Sequence, residues 1–184
     1  MNYENITDAK LAFVDGEDNT SGIAELAYFI PYSWLATIGA PASPATTAAS
    51  LVEITSNHIM KAAKAPIEMQ PLFDKSGFDG ALEGEVLSKI WKQGPARFFL
   101  PNLNAAALGT AGMIKNYRGI VLFKRSGGGD FFQIGSAEIT AKVANGGVST
   151  GTGPTGEPGV FVEFEAYSTM PLYIYKGEFP VAAG

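Results

Sequence analysis

The sequence predicts a mainly β protein, an antiparallel β-sandwich or barrel with one flanking α-helix at about residues 103–115. Three observations carry that expectation. Between Tyr117 and Phe179, short apolar runs are separated by glycine-rich turns, the pattern of strands joined by hairpins. Within these runs apolar and polar residues alternate with a period of two, as a sheet with one wet face requires. One stretch alone, residues 102–114, changes to a helical period.

Residues 1–22 form a polar lead-in containing the turn-rich Asp15-Gly-Glu-Asp-Asn-Thr-Ser-Gly22. Ile23-Ala-Glu-Leu-Ala-Tyr-Phe-Ile30 is bulky enough for a strand, and Pro31 ends it or marks an edge, because proline cannot donate to a ladder. Residues 34–38 resume the strand. Residues 39–50 are small and carry prolines, which predicts an exposed loop. Residues 51–69 mix short apolar runs with Lys61 and Lys64; helix and strand both fit, strand better. Residues 78–86 place Phe78, Leu82 and Val86 on one face and Asp79, Glu83 and Glu85 on the other, with Gly80 and Gly84 marking a bulge or a close backbone neighbour. In the helical stretch Leu103, Ala106, Ala107 and Ile114 share a face, with Asn102 or Asn104 as N-cap.

Arg118-Gly-Ile-Val-Leu-Phe-Lys-Arg125 is a short apolar strand bounded by the turn Ser126-Gly-Gly-Gly129. Residues 137–143 set Ala137, Ile139, Ala141 and Val143 against Glu138, Thr140 and Lys142. Residues 160–166 set Val160, Val162, Phe164 and Ala166 against Phe161, Glu163 and Glu165. The glycine- and proline-bearing residues 145–159 between them read as a long loop. The expected organisation is one domain over residues 1–184, with long loops near 39–50 and 145–159 and no internal repeat.

A chain of 184 residues is long enough to bury roughly 70% of its unfolded surface. Its net charge of −5 and scattered basic residues argue against a phosphate-gripping groove; Lys115, Arg118, Lys124 and Arg125 read as solvated edge charge. With no cysteine, disulfides, thiolate zinc sites and cysteine nucleophiles are excluded. The polar, acidic start lacks the pattern of a secretory signal, and no apolar run nears the ~20 residues of a membrane helix. The expectation is a soluble protein made in a cytoplasm; the sequons at Asn5 and Asn19 carry no weight without secretion.

Two motifs mimic catalytic ones. Gly147-Val-Ser-Thr-Gly151 spells the nucleophile elbow of serine hydrolases, which needs a strand–turn–helix setting and a later histidine. The one histidine, His58, lies upstream, so Ser149 reads as a loop residue. Gly151-Thr-Gly-Pro-Thr-Gly156 spells a dinucleotide fingerprint, but Pro154 and Glu157-Pro-Gly159 prevent the helix it must open. His58 has no second imidazole or thiolate to share a metal with, and no cofactor site is expected. Glu83, Glu85, Glu163 and Glu165 are carboxylate pairs at strand spacing, read as an acidic solvated face that gives the surface a field. Phe131, Phe132, Tyr173 and Tyr175 read as core and interface filler.

The C-terminal half runs Ile134-Gly-Ser136, a strand, Val148-Ser-Thr-Gly-Thr-Gly153, Pro158-Gly-Val-Phe-Val-Glu-Phe164 and Met170-Pro-Leu-Tyr-Ile-Tyr-Lys-Gly177. Over about residues 115–180 this succession resembles structural proteins of tailed bacteriophages, most closely the tail tube (major tail) proteins of phages from Bacteroidetes-like hosts. The resemblance implies a tail-tube-like β-sandwich or barrel whose copies join sheets into hexameric rings, stacked as a tube around a DNA channel. It implies no catalytic residue, the chain itself and other tail proteins as partners, DNA passing without specific binding, and a place in the virion after assembly in the host bacterial cytoplasm. On this reading Glu163, Glu165, Glu83 and Glu85 are candidate lumen-facing acids, and Gly147, Ser149, Gly151, Pro154 and Glu157 a candidate inter-subunit loop. Two alternatives stand beside it: a capsid decoration or head–tail connector protein, and a carbohydrate-active or ligand-binding β-barrel using the same four glutamates.

Overall fold

The computed structural model describes residues 6, 8–11, 21–101, 103–153 and 156–181. The two sequons, most of the lead-in, Asn102 as an alternative cap and Pro154 lie outside the described residues. The chain is mainly β with one helix. Its strands are β1 (Ile23–Pro31), β2 (Leu35–Thr37), β3 (Glu53–Ile54), β4 (Ile59–Met60), β5 (Ile67–Met69), β6 (Gly77–Glu83), β7 (Ile90–Leu100), β8 (Arg118–Arg125), β9 (Phe131–Ile134), β10 (Ala141–Ser149), β11 (Gly159–Ser168) and β12 (Tyr173–Tyr175); the helix α1 (Ala105–Ile114) falls between β7 and β8.

Ten strands join in one sheet in the order β3-β12-β9-β8-β10-β11-β7-β6, with β1 and then β5 added on the other side of β8. The run Gly119 to Phe123 explains why β8 sits at the centre. Its consecutive apolar side chains enter two cores on opposite faces: Val121 and Phe123 the first, Ile120 and Leu122 the second. The basic residues at its ends therefore cap an interior strand, and the expected edge strand is a central one. Lys124 also lies over the Phe131 ring at 4.6 Å.

The first core also holds residues of β1, β7 and β11, so the sheet folds over itself. Phe29, Phe98 and Phe164 are fully buried, and the Phe164 ring stands 5.0 Å from Phe29 and 5.9 Å from Phe98. Burying each such ring stabilises the fold by about 1.5–3 kcal/mol. α1 closes one side of this core with Ile114 and Ala111, joined by Leu103 just before the helix. Its N-cap is Asn104, whose side-chain oxygen accepts from the Ala107 N–H at 2.8 Å. Ala106, expected on the packed face, is exposed.

Four expectations need correction. Strand pairing is antiparallel except between β3 and β12, which run parallel. Residues 137–140 are not strand: the Ser136 N–H donates to the Ile139 carbonyl at 2.8 Å and the Ile139 N–H to Ser136 Oγ at 3.1 Å, a turn that leaves Ile139 exposed. The strand begins at Ala141 and continues through Asn145-Gly-Gly147 to Ser149, shortening the expected loop 145–159 to residues 150–158. The Phe161 ring lies over Gly147, where an added Cβ would stand 2.5 Å from it; this glycine makes room for an aromatic rather than a flexible loop.

The fourth concerns the bulge or close backbone neighbour expected at Gly80 and Gly84: an added Cβ at Gly84 would stand 2.5 Å from the Ser88 carbonyl oxygen, but the bulge lies on the partner strand. Along β6 and along β11 two residues are spanned where β7 spans three, Gln93 to Ala96. The extra residue thus belongs to β7, at Gly94-Pro95. Gly94 adopts a φ of 128°, and an added Cβ would stand 2.5 Å from the Phe164 carbonyl oxygen. A bulge is where a central strand tolerates proline.

Candidate functional site

Strands β10, β11, β7 and β6 form a four-stranded antiparallel layer. One face enters the first core through Val160, Val162, Phe164, Ala96, Phe98 and Phe78. The pleat sends the intervening residues to the opposite face. There β11 contributes Phe161, Glu163, Glu165 and Tyr167, flanked by Arg97 and Lys92 of β7, Lys142 and Asn145 of β10, and Asp79 and Glu83 of β6.

The expected alternation along β11 is thus present, but Glu163 and Glu165 do not form a free acidic patch. Glu165 lies 3.2 Å from Lys92 Nζ and 3.3 Å from Lys142 Nζ. Partial burial acts to raise its pKa, but the hydrogen bonds and charges of the two lysines outweigh it and hold the carboxyl below the usual value. Lys92 is raised in turn, first by its hydrogen bond to Glu165. Glu163 faces Arg97 at 3.5 Å and accepts from Asn145 Nδ2 at 3.1 Å. The Arg97 guanidinium lies over the Phe161 ring at 4.2 Å. Glu83 completes the ladder, 3.9 Å from Lys92 and accepting from the Tyr167 hydroxyl at 3.3 Å. Asp79, Glu83, Glu163 and Glu165 thus stand among Lys92, Arg97 and Lys142, a nearly balanced face. A glycosidase general acid needs a raised pKa; at Glu165 the shift runs the other way.

Both outer edges of the layer are open among the described residues. β6 pairs with β7 alone. β10 pairs with β8 only at Ala141 and Lys142, leaving the backbone edge of residues 143–149 without a ladder. Leu82 on β6 and Val148 on β10 belong to the core-side face by register, yet they are 47% and 59% exposed because the core ends before reaching them. The hairpin after β6 carries Glu85 and presents Val86 and Leu87 to solvent.

The other expected site residues are placed as follows. Ser149 ends β10, and its Oγ accepts from the Gly151 N–H at 3.1 Å. Gly151, in the shortened loop, has φ 77°. Glu157 is ion-paired with Lys75 of the same chain. The 39–50 loop is also tied within the chain: Ala40 N–H donates to Ser56 Oγ at 3.1 Å and Ala48 N–H to Asp8 Oδ1 at 2.7 Å.

His58 is buried in the second core, stacked on Tyr175 at 4.2 Å. Its Nδ1 accepts from the Gly39 N–H at 2.9 Å, so Nε2 carries the proton and donates to Gln133 Oε1 at 2.7 Å. Both ring nitrogens are engaged, and neither serves Ser149. Burial lowers its pKa to about 4, against a smaller raising effect of Gln133. Sequence reasoning missed this node because its partners lie 19, 75 and 117 residues away. It missed Arg97 and Lys92 because Gly94-Pro95 masks β7; the inward Ala96 and Phe98 about Arg97 were the available signal.

Among the described residues no group of three or more His, Asp or Glu gathers as a metal site would need, and no helix is long and apolar enough to cross a membrane. Comparison with protein-family models, curated proteins and solved structures found no match.

Proposed function

We propose that this chain is a self-assembling structural subunit whose copies join edge to edge into rings, and that stacked rings form a bacteriophage tail tube. The observation that supports this reading most is the four-stranded layer with two open edges. Its strands alternate in direction, so β6 and β10 run oppositely and the β10 of a second copy continues the antiparallel order beside β6. Such a contact is head to tail, and a head-to-tail contact that closes makes a ring. Leu82 at one edge and Val148 at the other are apolar and lie on the same face, at opposite ends of the layer, so on this reading each packs against a different part of the neighbouring copy's edge.

On this reading the ladder face lines the bore. The interleaved cations leave no basic stripe for phosphates to grip, and DNA slides along a nearly neutral wall rather than a strongly acidic one. The number of copies, six, comes from the resemblance of the C-terminal half to tail tube proteins.

Analytical ultracentrifugation and negative-stain microscopy of the purified chain test this. Rings or tubes are expected, and the double variant Leu82→Lys/Val148→Lys should keep the melting temperature while remaining monomeric. A parent that stays monomeric at high concentration, or a double variant that assembles as well as the parent, would sink the reading.

A further inference from the structure

His58, just before β4, ties the 39–50 loop to the β9–β12 pair. Its Nδ1 holds the Gly39 amide at the start of the 39–50 loop, its Nε2 holds Gln133 of β9, and its backbone N–H donates to the Tyr175 hydroxyl of β12 at 3.0 Å. Gln133 is fixed in turn, its Nε2 donating to the Gly135 carbonyl at 2.9 Å. The contacts on the two ring nitrogens respond differently to a proton. Nε2 already donates to Gln133 and continues to do so in the imidazolium. Nδ1 accepts from Gly39, and once protonated it turns one donor against another. Gly39 is closely packed, since an added Cβ there would overlap the Ser56 carbonyl oxygen. The loop beyond it covers a cavity of about 250 Å³ lined by Leu51, Ile54, Met170 and Tyr173, among others.

The groups around the ring leave this contact as the response to acid. From β9 it meets the uncharged Gln133 and from the loop a backbone amide. From β12 it meets Tyr175, whose pKa is pushed up chiefly by burial. The neighbouring Lys176 is paired with Glu53 at 2.6 Å. The carboxylate beyond Tyr175, Glu178, accepts from Asn57 Nδ2 at 3.1 Å.

We infer that His58 is an acid-sensitive latch: protonation at Nδ1 expels the Gly39 amide and loosens the start of the 39–50 loop while both cores remain folded. The inference rests on the geometry of the single chain and not on the assembly proposed above. The sign follows from linkage. The closed form keeps the ring neutral, so the open form binds more protons between pH 6.5 and about 4. The latch is fully closed above that window and loosens as the pH falls through it.

The test is an NMR titration of the unmodified chain, so no variant has to fold. His58 is the one histidine, and its ring nitrogen shifts report its protonation without assignment of other imidazoles. At pH 7 they should show the Nε2–H tautomer. Between pH 7.5 and pH 5, Gly39 amide exchange corrected for its intrinsic pH dependence should rise about 30-fold, while the Phe164 amide of the first core and the Leu122 amide of the second stay protected. Two outcomes would overturn the inference: Gly39 exchange unchanged down to pH 4 while the ring titrates, or core amides rising together with Gly39.

Discussion

An alanine at position 119 would push its Cβ into the Ile30 carbonyl oxygen, backbone against backbone. Gly119 lies in β8 between Pro31 of β1 and Ala141 of β10, with ladders on both sides, so neither strand is free to move away. Gly119→Ala should therefore cost about 3 kcal/mol, the upper end for overpacking, read as a lower urea midpoint at unchanged slope. The buried neutral His58 makes a second prediction at this scale. The unfolded chain takes up a proton near pH 6.5 and the folded chain only near pH 4, so the stability tied to the neutral ring is complete above pH 6.5 and falls as the pH drops. A loss of about 2 kcal/mol between pH 7.5 and pH 5 is expected, and a His58→Gln chain that folds should show a flatter pH profile. The sequence announced neither residue. Both are ordinary letters whose constraints come from strands far away along the chain.

At the scale of elements, legibility followed the length over which one physical signal persists. β8 and β11 were legible because five or more consecutive positions repeat one burial rule. β7, at 11 residues the longest strand, was not, because a bulge inverts its alternation midway and the proline in that bulge reads as a breaker. β10 was misplaced for the opposite reason: Ala137 and Ile139 continue the period of two backwards into what a two-hydrogen-bond turn makes irregular. The helix was legible by its period and its Asn104 cap, and it retains a weakness that can be removed. Gly109 and Gly112 lie inside α1 at normal helical φ, and an added Cβ at either meets nothing within 4 Å. Gly109→Ala and Gly112→Ala should each stabilise the chain by about 0.5–1 kcal/mol, additively. No gain in melting temperature from the pair would show that these positions contact something in solution that the single chain lacks.

At the scale of the whole molecule, the acidic balance of the chain hid the near-neutral character of the face carrying Glu163 and Glu165. Glu163 and Glu165 were legible as solvent-side acids, but their partners come from two other strands, and cross-strand register is not written in either run. This changes what charge reversal does. Lysines at 163 and 165 would stand beside Arg97, Lys92 and Lys142 and strain the layer itself, so the cleaner perturbation is the isosteric Glu163→Gln/Glu165→Gln. It removes two carboxylates and leaves Arg97 and Lys142 without their partners. If the ladder face lines the bore of a tube, the parent assembly should retain no DNA, and the double variant should retain linear duplex DNA in low salt. Lys92 keeps Glu83 beside it, so Arg97 and Lys142 are unmasked, and two cations for each copy that engages the DNA correspond to a log–log salt slope contribution of about −1.8. Topology then separates the inner wall from the outer one. A linear duplex can thread a tube and a covalently closed circle cannot, so the variant tube should hold the first and release the second. Equal retention of both forms would place the ladder on the outer wall, and retention of neither would place it between subunits, where no phosphate reaches it.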